Sequence, residues 1–171
     1  TVCGQVFGQG VGIKACFEAL RPAWTKERAA AEAFNAQNTT RKRGVGVAGG
    51  WYGCGNTSLP NPSTIKSGIR EDGTVVLHQG AMDIGQGANT VIAQVFSTAL
   101  GVDVGQVQRI GADTDVTPDA GKTSASRQTF VSGNAARLSG AALRAAILER
   151  MNVAENVQLE IGGGTIRAKD A

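Results

Sequence analysis

Residues 113–134, with Ala112 before them, limit the fold more than any other part of the chain. The stretch opens as a polar loop containing Pro118, passes Gly121, and reaches a cluster of small residues: Thr123, Ser124, Ala125 and Ser126. Arg127 and Gln128 follow, and then an alanine-rich helical pattern runs to about Arg150. A loop of small side chains that runs straight into a long helix leaves bare backbone at the helix start. The first-turn N–H groups have no internal partners, and the helix dipole adds partial positive charge there. An anion such as phosphate, or a metal-bound oxygen, suits that corner. Arg127 adds a fixed charge at the same point.

The rest of the chain is arranged around this segment. Residues 12–20 carry apolar side chains three and four apart and read as a helix, which Pro22 is expected to interrupt. A second, alanine- and charge-rich helix is expected over 24–35. Residues 45–52 read as a glycine-rich strand. Residues 54–62 read as a polar loop, and 64–70 with 74–79 as a hairpin turning at Glu71-Asp72-Gly73. A second glycine-rich loop, 80–87, leads into a helix over 89–100 whose apolar face is Val91, Ile92, Val95, Phe96 and Leu100. Gly101 is placed to end that helix. A short turn over 104–107, a strand over 107–110 and a terminal hairpin over 157–168 complete the order. This order predicts an α+β fold, a mixed sheet with helices packed on one face. The expected division is a helical segment over 1–42 and a second unit over 43–171.

Composition narrows the function classes. A net charge of +3 is too small to imply nucleic acid, so the run Arg41-Lys42-Arg43 is expected to flank a strand. Cys3, Cys16 and Cys54 are widely spaced and show no Cys-x-x-Cys or Cys/His pattern. That argues against a zinc site or a disulfide framework, and for reduced thiols in the cytoplasm. No apolar run is long enough to span a membrane. The chain starts at Thr1 with no clean first element, as a piece of a longer polypeptide would. Gly44-Val45-Gly46-Val47-Ala48-Gly49 spells a dinucleotide fingerprint but lacks the strand before it and the helix after it. His78, the single histidine, is expected in a structural role within its strand. Asp113, Asp115 and Asp119 do not match the spacing of a calcium loop. Trp24 and Phe34 are expected to pack.

Two loops stand out as candidate sites. Asp83-Ile84-Gly85-Gln86-Gly87-Ala88 lies between a strand and a helix, with glycines that let backbone approach a ligand and an amide that donates and accepts. The second is the cluster Ser124, Ala125, Ser126, Arg127 and Gln128. Each loop follows a strand and opens a helix, so both helix starts should face one edge of the sheet. A phosphate- or nucleotide-binding domain would use the same features.

The ordered set Arg43-Gly44-Val45-Gly46-Val47, Tyr52-Gly53-Cys54-Gly55, Asp72-Gly73-Thr74-Val75, Gly85-Gln86-Gly87-Ala88, Ala112-Asp113-Thr114, Thr117-Pro118-Asp119, Ser126-Arg127-Gln128 and Gly133-Asn134-Ala135 resembles the molybdenum hydroxylases, the xanthine oxidase and aldehyde oxidoreductase family. The Ser-Arg-Gln form resembles the bacterial aldehyde oxidoreductases. The resemblance covers about residues 43–150 and implies the molybdenum-cofactor-binding type of domain. It also implies a molybdopterin cofactor, in its cytosine dinucleotide form, carrying one molybdenum with no protein ligand. It places Gly85, Gln86 and Gly87 on the pterin side. Ser124, Ala125, Ser126 and Gln128 would stand at the cofactor and the metal's oxygen ligands, and Arg127 on the substrate side.

Such enzymes hydroxylate an aldehyde or an N-heterocycle with oxygen from water and send electrons to [2Fe-2S] clusters. The implied partners are the remaining molybdopterin-binding domains, iron–sulfur and FAD subunits and a small-molecule substrate. The family's glutamate base in a Gly-x-Gly-Glu stretch has no counterpart here, since Glu160 sits in Gln-Leu-Glu-Ile-Gly-Gly. A second metal-contacting loop and the cluster cysteines are missing too. The 171 residues alone are therefore expected to be inactive and to hold little cofactor. The competing function is an assembly or interaction module whose cofactor loops are degenerate.

Overall fold

The computed structural model describes residues 6, 8, 10–50, 52, 53, 55 and 60–169. Cys3, Trp51, Cys54 and most of the expected loop over 54–62 lie outside the described residues. The chain divides into two compact units, residues 1–52 and 53–171.

The first unit is built on one long helix, α1 (Ile13–Gln37). The expected break at Pro22 does not occur: Pro22 lies inside a continuous helix. Proline removes one main-chain hydrogen bond, at a cost of about 3 kcal/mol in a helix interior. Part of that is offset locally. Arg21 donates twice to Glu18, at 2.8 Å and 2.8 Å, and Arg28 pairs with Glu32 at 3.1 Å. Such exposed helix-surface pairs add a small stabilisation that solvent and salt screen. The alanine-rich second half supplies strong helix formers.

The strand expected over 45–52 is also not formed among its described residues, and residues 41–50 carry no regular structure. Their backbone finds a side chain in place of a neighbouring strand. Arg43 N–H donates to Asn35 Oδ1 at 2.7 Å and Asn35 Nδ2 donates to Arg43 O at 2.8 Å. The basic run therefore flanks a helix end and not a strand. Lys42 Nζ donates to the carbonyls of Asn35 and Asn38, and the Arg43 guanidinium lies 3.9 Å from the centre of the Phe34 ring. Cys16 is a free, exposed thiol.

The second unit is the α+β body. Strands β1 (Ile65–Ile69) and β2 (Val75–Gln79) form the expected antiparallel hairpin. Strand β3 (Val107–Ile110) then pairs with β2 in parallel, giving a mixed three-stranded sheet. Helix α2 (Ala88–Leu100) and the short turn Val104–Gln106 form the crossover between β2 and β3. Helix α3 (Gln128–Met151) packs along α2 and against β1. A separate hairpin, β4 (Gln158–Gly162) and β5 (Thr165–Lys169), closes the unit.

Alternation along β2 explains the core. Val75 and Leu77 are buried and join Ile92, Phe96, Leu100, Ala136 and Ile147 in one cluster. The helices approach closely at Gly140, where a Cβ would come within 2.6 Å of the Phe96 carbonyl oxygen. Arg144 ties three segments together, donating to the carbonyls of Leu100, Glu155 and Val157. Among the described residues no helix is long and apolar enough to cross a membrane.

Candidate cofactor site

Parallel pairing of β2 and β3 decides where the two loops go. Neighbouring parallel strands end on the same edge, and a crevice outside those ends is where open α/β sheets bind ligands. The loop after Gln79 and the loop after Ile110 both leave from that edge. They are pressed together at Gly80, where any Cβ would overlap the carbonyl oxygen of Pro118. They are also joined by a shared acceptor. Met82 O receives Thr123 Oγ1 at 2.8 Å from the second loop and Gln86 Nε2 at 3.1 Å from its own. The two bends are neighbours, as the common edge required.

Their interiors differ from the sequence expectation in one respect. The Gly85–Gly87 bend uses its amides internally. Asp83 Oδ1 accepts from Gly85 N at 2.9 Å and Gly87 N at 3.2 Å, and Asp83 Oδ2 accepts from Asn89 N at 3.0 Å. Gln86 folds back, its Oε1 accepting from Ile84 N at 2.6 Å. The start of α2 is thus capped by a carboxylate of the chain. The N–H bonds from Asn89, then Gly85, hold the Asp83 carboxyl below the usual carboxylate range, aided by Gly87 and by the charge of Arg109. What the bend leaves open is glycine surface. Gly85 and Gly87 have φ of +105° and +83°, and a Cβ on either would meet nothing within 4 Å. The sequence placed Asp83 at the head of this loop but gave it no role; an acid two residues before a glycine, able to accept from its amide, was the available cue.

The second bend is held differently. Ala125 and Ser126 sit at φ of +49° and +55°, a left-handed region that costs a non-glycine residue about 1–2 kcal/mol. Such strain persists only where the surroundings impose it, and it clusters at ligand sites. Here the surroundings are hydrogen bonds. Arg127 N donates to Ser124 O at 3.2 Å, and Gly55 N donates to Ala125 O at 2.6 Å. Gln128 is buried; its Nε2 lies 3.2 Å from Thr123 Oγ1, and its Oε1 accepts from Ser132 Oγ. The backbone amides of Ser124 and Ser126 make no hydrogen bond to a described residue.

Arg127 is only 1 % exposed. It donates to Asn61 Oδ1, to Ala120 O at 2.6 Å, to Lys122 O at 2.8 Å and to Pro62 O at 2.8 Å. In this conformation its guanidinium lies inside the loop.

The other polar candidates shape the loops. Asp113 Oδ1 accepts from Asp115 N at 3.0 Å and Asp119 Oδ1 from Gly121 N at 2.7 Å. His78 Nδ1 donates to Val116 O at 3.1 Å, since a carbonyl can only accept. At the root of the crevice, Gln79 is buried: its Nε2 donates to Asn89 Oδ1 at 2.8 Å, while its Oε1 has no partner.

The sequence model of the molybdopterin cofactor-binding domain matches residues 19–171. The putative xanthine dehydrogenase molybdenum-binding subunit XdhA of Escherichia coli is 38% identical over 143 residues, covering 80% of this chain and 18% of the relative. The aldehyde oxidoreductase of Megalodesulfovibrio gigas is 35% identical over 123 residues, covering 70% of this chain and 13% of the relative. Among solved structures, the Cu,Mo-CO dehydrogenase in its carbon monoxide reduced state superposes with a TM-score of 0.53 at 18% identity, over 92% of this chain and 22% of that one. The last likeness speaks for the fold alone. The chain spans under a fifth of the length of the two named relatives. An unrelated nucleotide-binding domain is set aside by these matches: the chain belongs to the molybdopterin cofactor-binding domain family of the molybdenum hydroxylases.

Proposed function

We propose that this chain holds the molybdopterin cofactor of an oxidoreductase that hydroxylates an aldehyde or an N-heterocycle. One observation carries the reading: two bends of unlike construction are fastened side by side through Met82 O at a shared sheet edge. The residues present fit a flat, anionic group. Gly85 and Gly87 leave uncovered surface against which a ring system can lie. Ser124 and Ser126 have amides with no described partner, and the buried cation Arg127 follows them in the chain.

In this reading Gly85, Gln86 and Gly87 bind the pterin side. Ser124, Ala125, Ser126 and Gln128 orient the cofactor and the oxygen ligands of its metal. Arg127 shapes the second bend from within. When bound, the cofactor supplies the two-electron oxidation of the substrate carbon. The chain's part is orientation and electrostatics. Residues 43–171 form the binding unit and residues 1–42 a helical segment.

The substrate pocket, the proton-accepting glutamate and the electron path belong to other parts of a cytoplasmic assembly. That assembly includes further molybdopterin-binding domains, [2Fe-2S] clusters and an FAD subunit, and its cofactor is the cytosine dinucleotide form. The test is elemental and pterin analysis of the native complex that carries this chain. Molybdenum and pterin in equal amounts, about one each per chain, support the reading. A complex free of both favours an interaction module.

A further inference from the structure

Arg127 presents an energetic problem whose solution points to a role. A guanidinium at 1 % exposure has lost its water, and burying a charge is costly unless it is paired and hydrogen-bonded. Hydrogen bonds it has: four donors go to four acceptors, Asn61 Oδ1 and the carbonyls of Pro62, Ala120 and Lys122. An ion-pair partner within 4 Å it has not, among the described residues. The nearby loop carboxylate, Asp119, is turned to the amide of Gly121.

Dipoles of neutral acceptors satisfy the N–H groups but leave the net charge in place. Coulomb interactions weaken slowly with distance and are strongest where water is excluded. The charge therefore extends to the strained Ala125–Ser126 backbone next to it in the chain. Gly121 is part of the same arrangement: a Cβ there would come within 3.0 Å of both Nη atoms, so the guanidinium packs flat on bare backbone.

We infer that Arg127 is a positioning residue: it clamps residues 61–62 to residues 120–122 behind the Ser124–Ser126 bend. Its charge, held by neutral acceptors and in no described ion pair, makes that bend attractive to an anionic cofactor, and it does not reach the substrate. This rests on the reading of the bends as the cofactor site. Two consequences separate it from a substrate-facing arginine. Cofactor retention, not substrate affinity, depends on it. Lysine replaces it poorly, because a point ammonium cannot span four acceptors on two segments.

The experiment uses the native complex carrying R127M or R127K, assayed for molybdenum and pterin per chain, before and after dialysis against increasing salt. Wild type should lose cofactor gradually as salt rises. R127M should hold about tenfold less than wild type, in line with the loss of supporting residues around bound metals. R127K should fall in between and keep the salt dependence. R127M content within about twofold of wild type overturns the inference. If R127M fails to accumulate, R127K decides: content equal to wild type overturns the clamp, and a several-fold fall supports it. A wild-type complex without pterin or molybdenum overturns both this inference and the function it rests on. A fall confined to the variants concerns Arg127 alone.

Discussion

The two bends at the sheet edge solve one problem in opposite ways. Around Gly85–Gly87 the backbone is unstrained, because glycine takes positive φ readily, and a negative group, Asp83, is built in to satisfy the amides. Around Ala125–Ser126 the backbone is strained, with two non-glycine residues in the left-handed region, and a positive group, Arg127, is built in behind it. The first bend is complete without a guest and offers it shape. The second is incomplete and offers it charge and amides. Pterin binding, in this view, divides between a surface that fits and a surface that attracts.

The largest effect should come from disturbing both bends at once. Gly80→Ala places a methyl group against the Pro118 carbonyl, which is main chain and cannot rotate away. Overpacking of this kind costs about 1–3 kcal/mol. The unfolding midpoint in denaturant should fall accordingly, and cofactor content with it. An unchanged midpoint would mean the loops are not pressed together. Gly87→Ala should cost less, about 1 kcal/mol, because the site is spacious and only φ of +83° is strained for alanine.

The reciprocal change sharpens the contrast. Ala125→Gly relieves a left-handed alanine but adds freedom to the unfolded chain, so stability should hold or rise by up to about 1 kcal/mol. A clear loss would show that the Ala125 methyl contributes packing instead.

Smallest is a pH effect specific to the first bend. Asp83 has a folded pKa below its unfolded value, so its contribution is present above the ordinary carboxylate value of roughly 3.9 and is lost as pH falls through the folded pKa. Gly85 and Gly87 amide NMR shifts should titrate together with a midpoint below that value, while Ser124 and Ser126 amides stay still. Asp83→Ala should leave the Gly85 and Gly87 amides exchanging several-fold faster at neutral pH. A midpoint at or above the ordinary value would remove Asp83 as the cap.

The sequence was most readable where local chemistry and fold agree. The hairpin at Glu71-Asp72-Gly73, the helix ending at Gly101 and the long helix after Arg127 each carry a turn or a periodic signal that packing has no reason to override. Pro22 and residues 45–52 misled for a common reason. A proline's local cost can be absorbed by a long helix, and a strand-like composition forms no strand without a neighbouring strand to pair with. The position of the two bends was legible because each loop could be read as leaving a strand and opening a helix. Their internal bonding was not. A Gly-Gln-Gly motif does not announce that Asp83 will occupy its amides, and an arginine beside small residues gives no sign of whether it points outward or, as here, into its own loop.

One oxygen atom, the carbonyl of Met82, receives a donor from each bend. Neither loop can therefore be exchanged alone. A chimera that takes its glycine loop from one relative and its serine loop from another must also bring a donor of the right length at position 123 and an amide at position 86. The unit of inheritance at this edge is the pair.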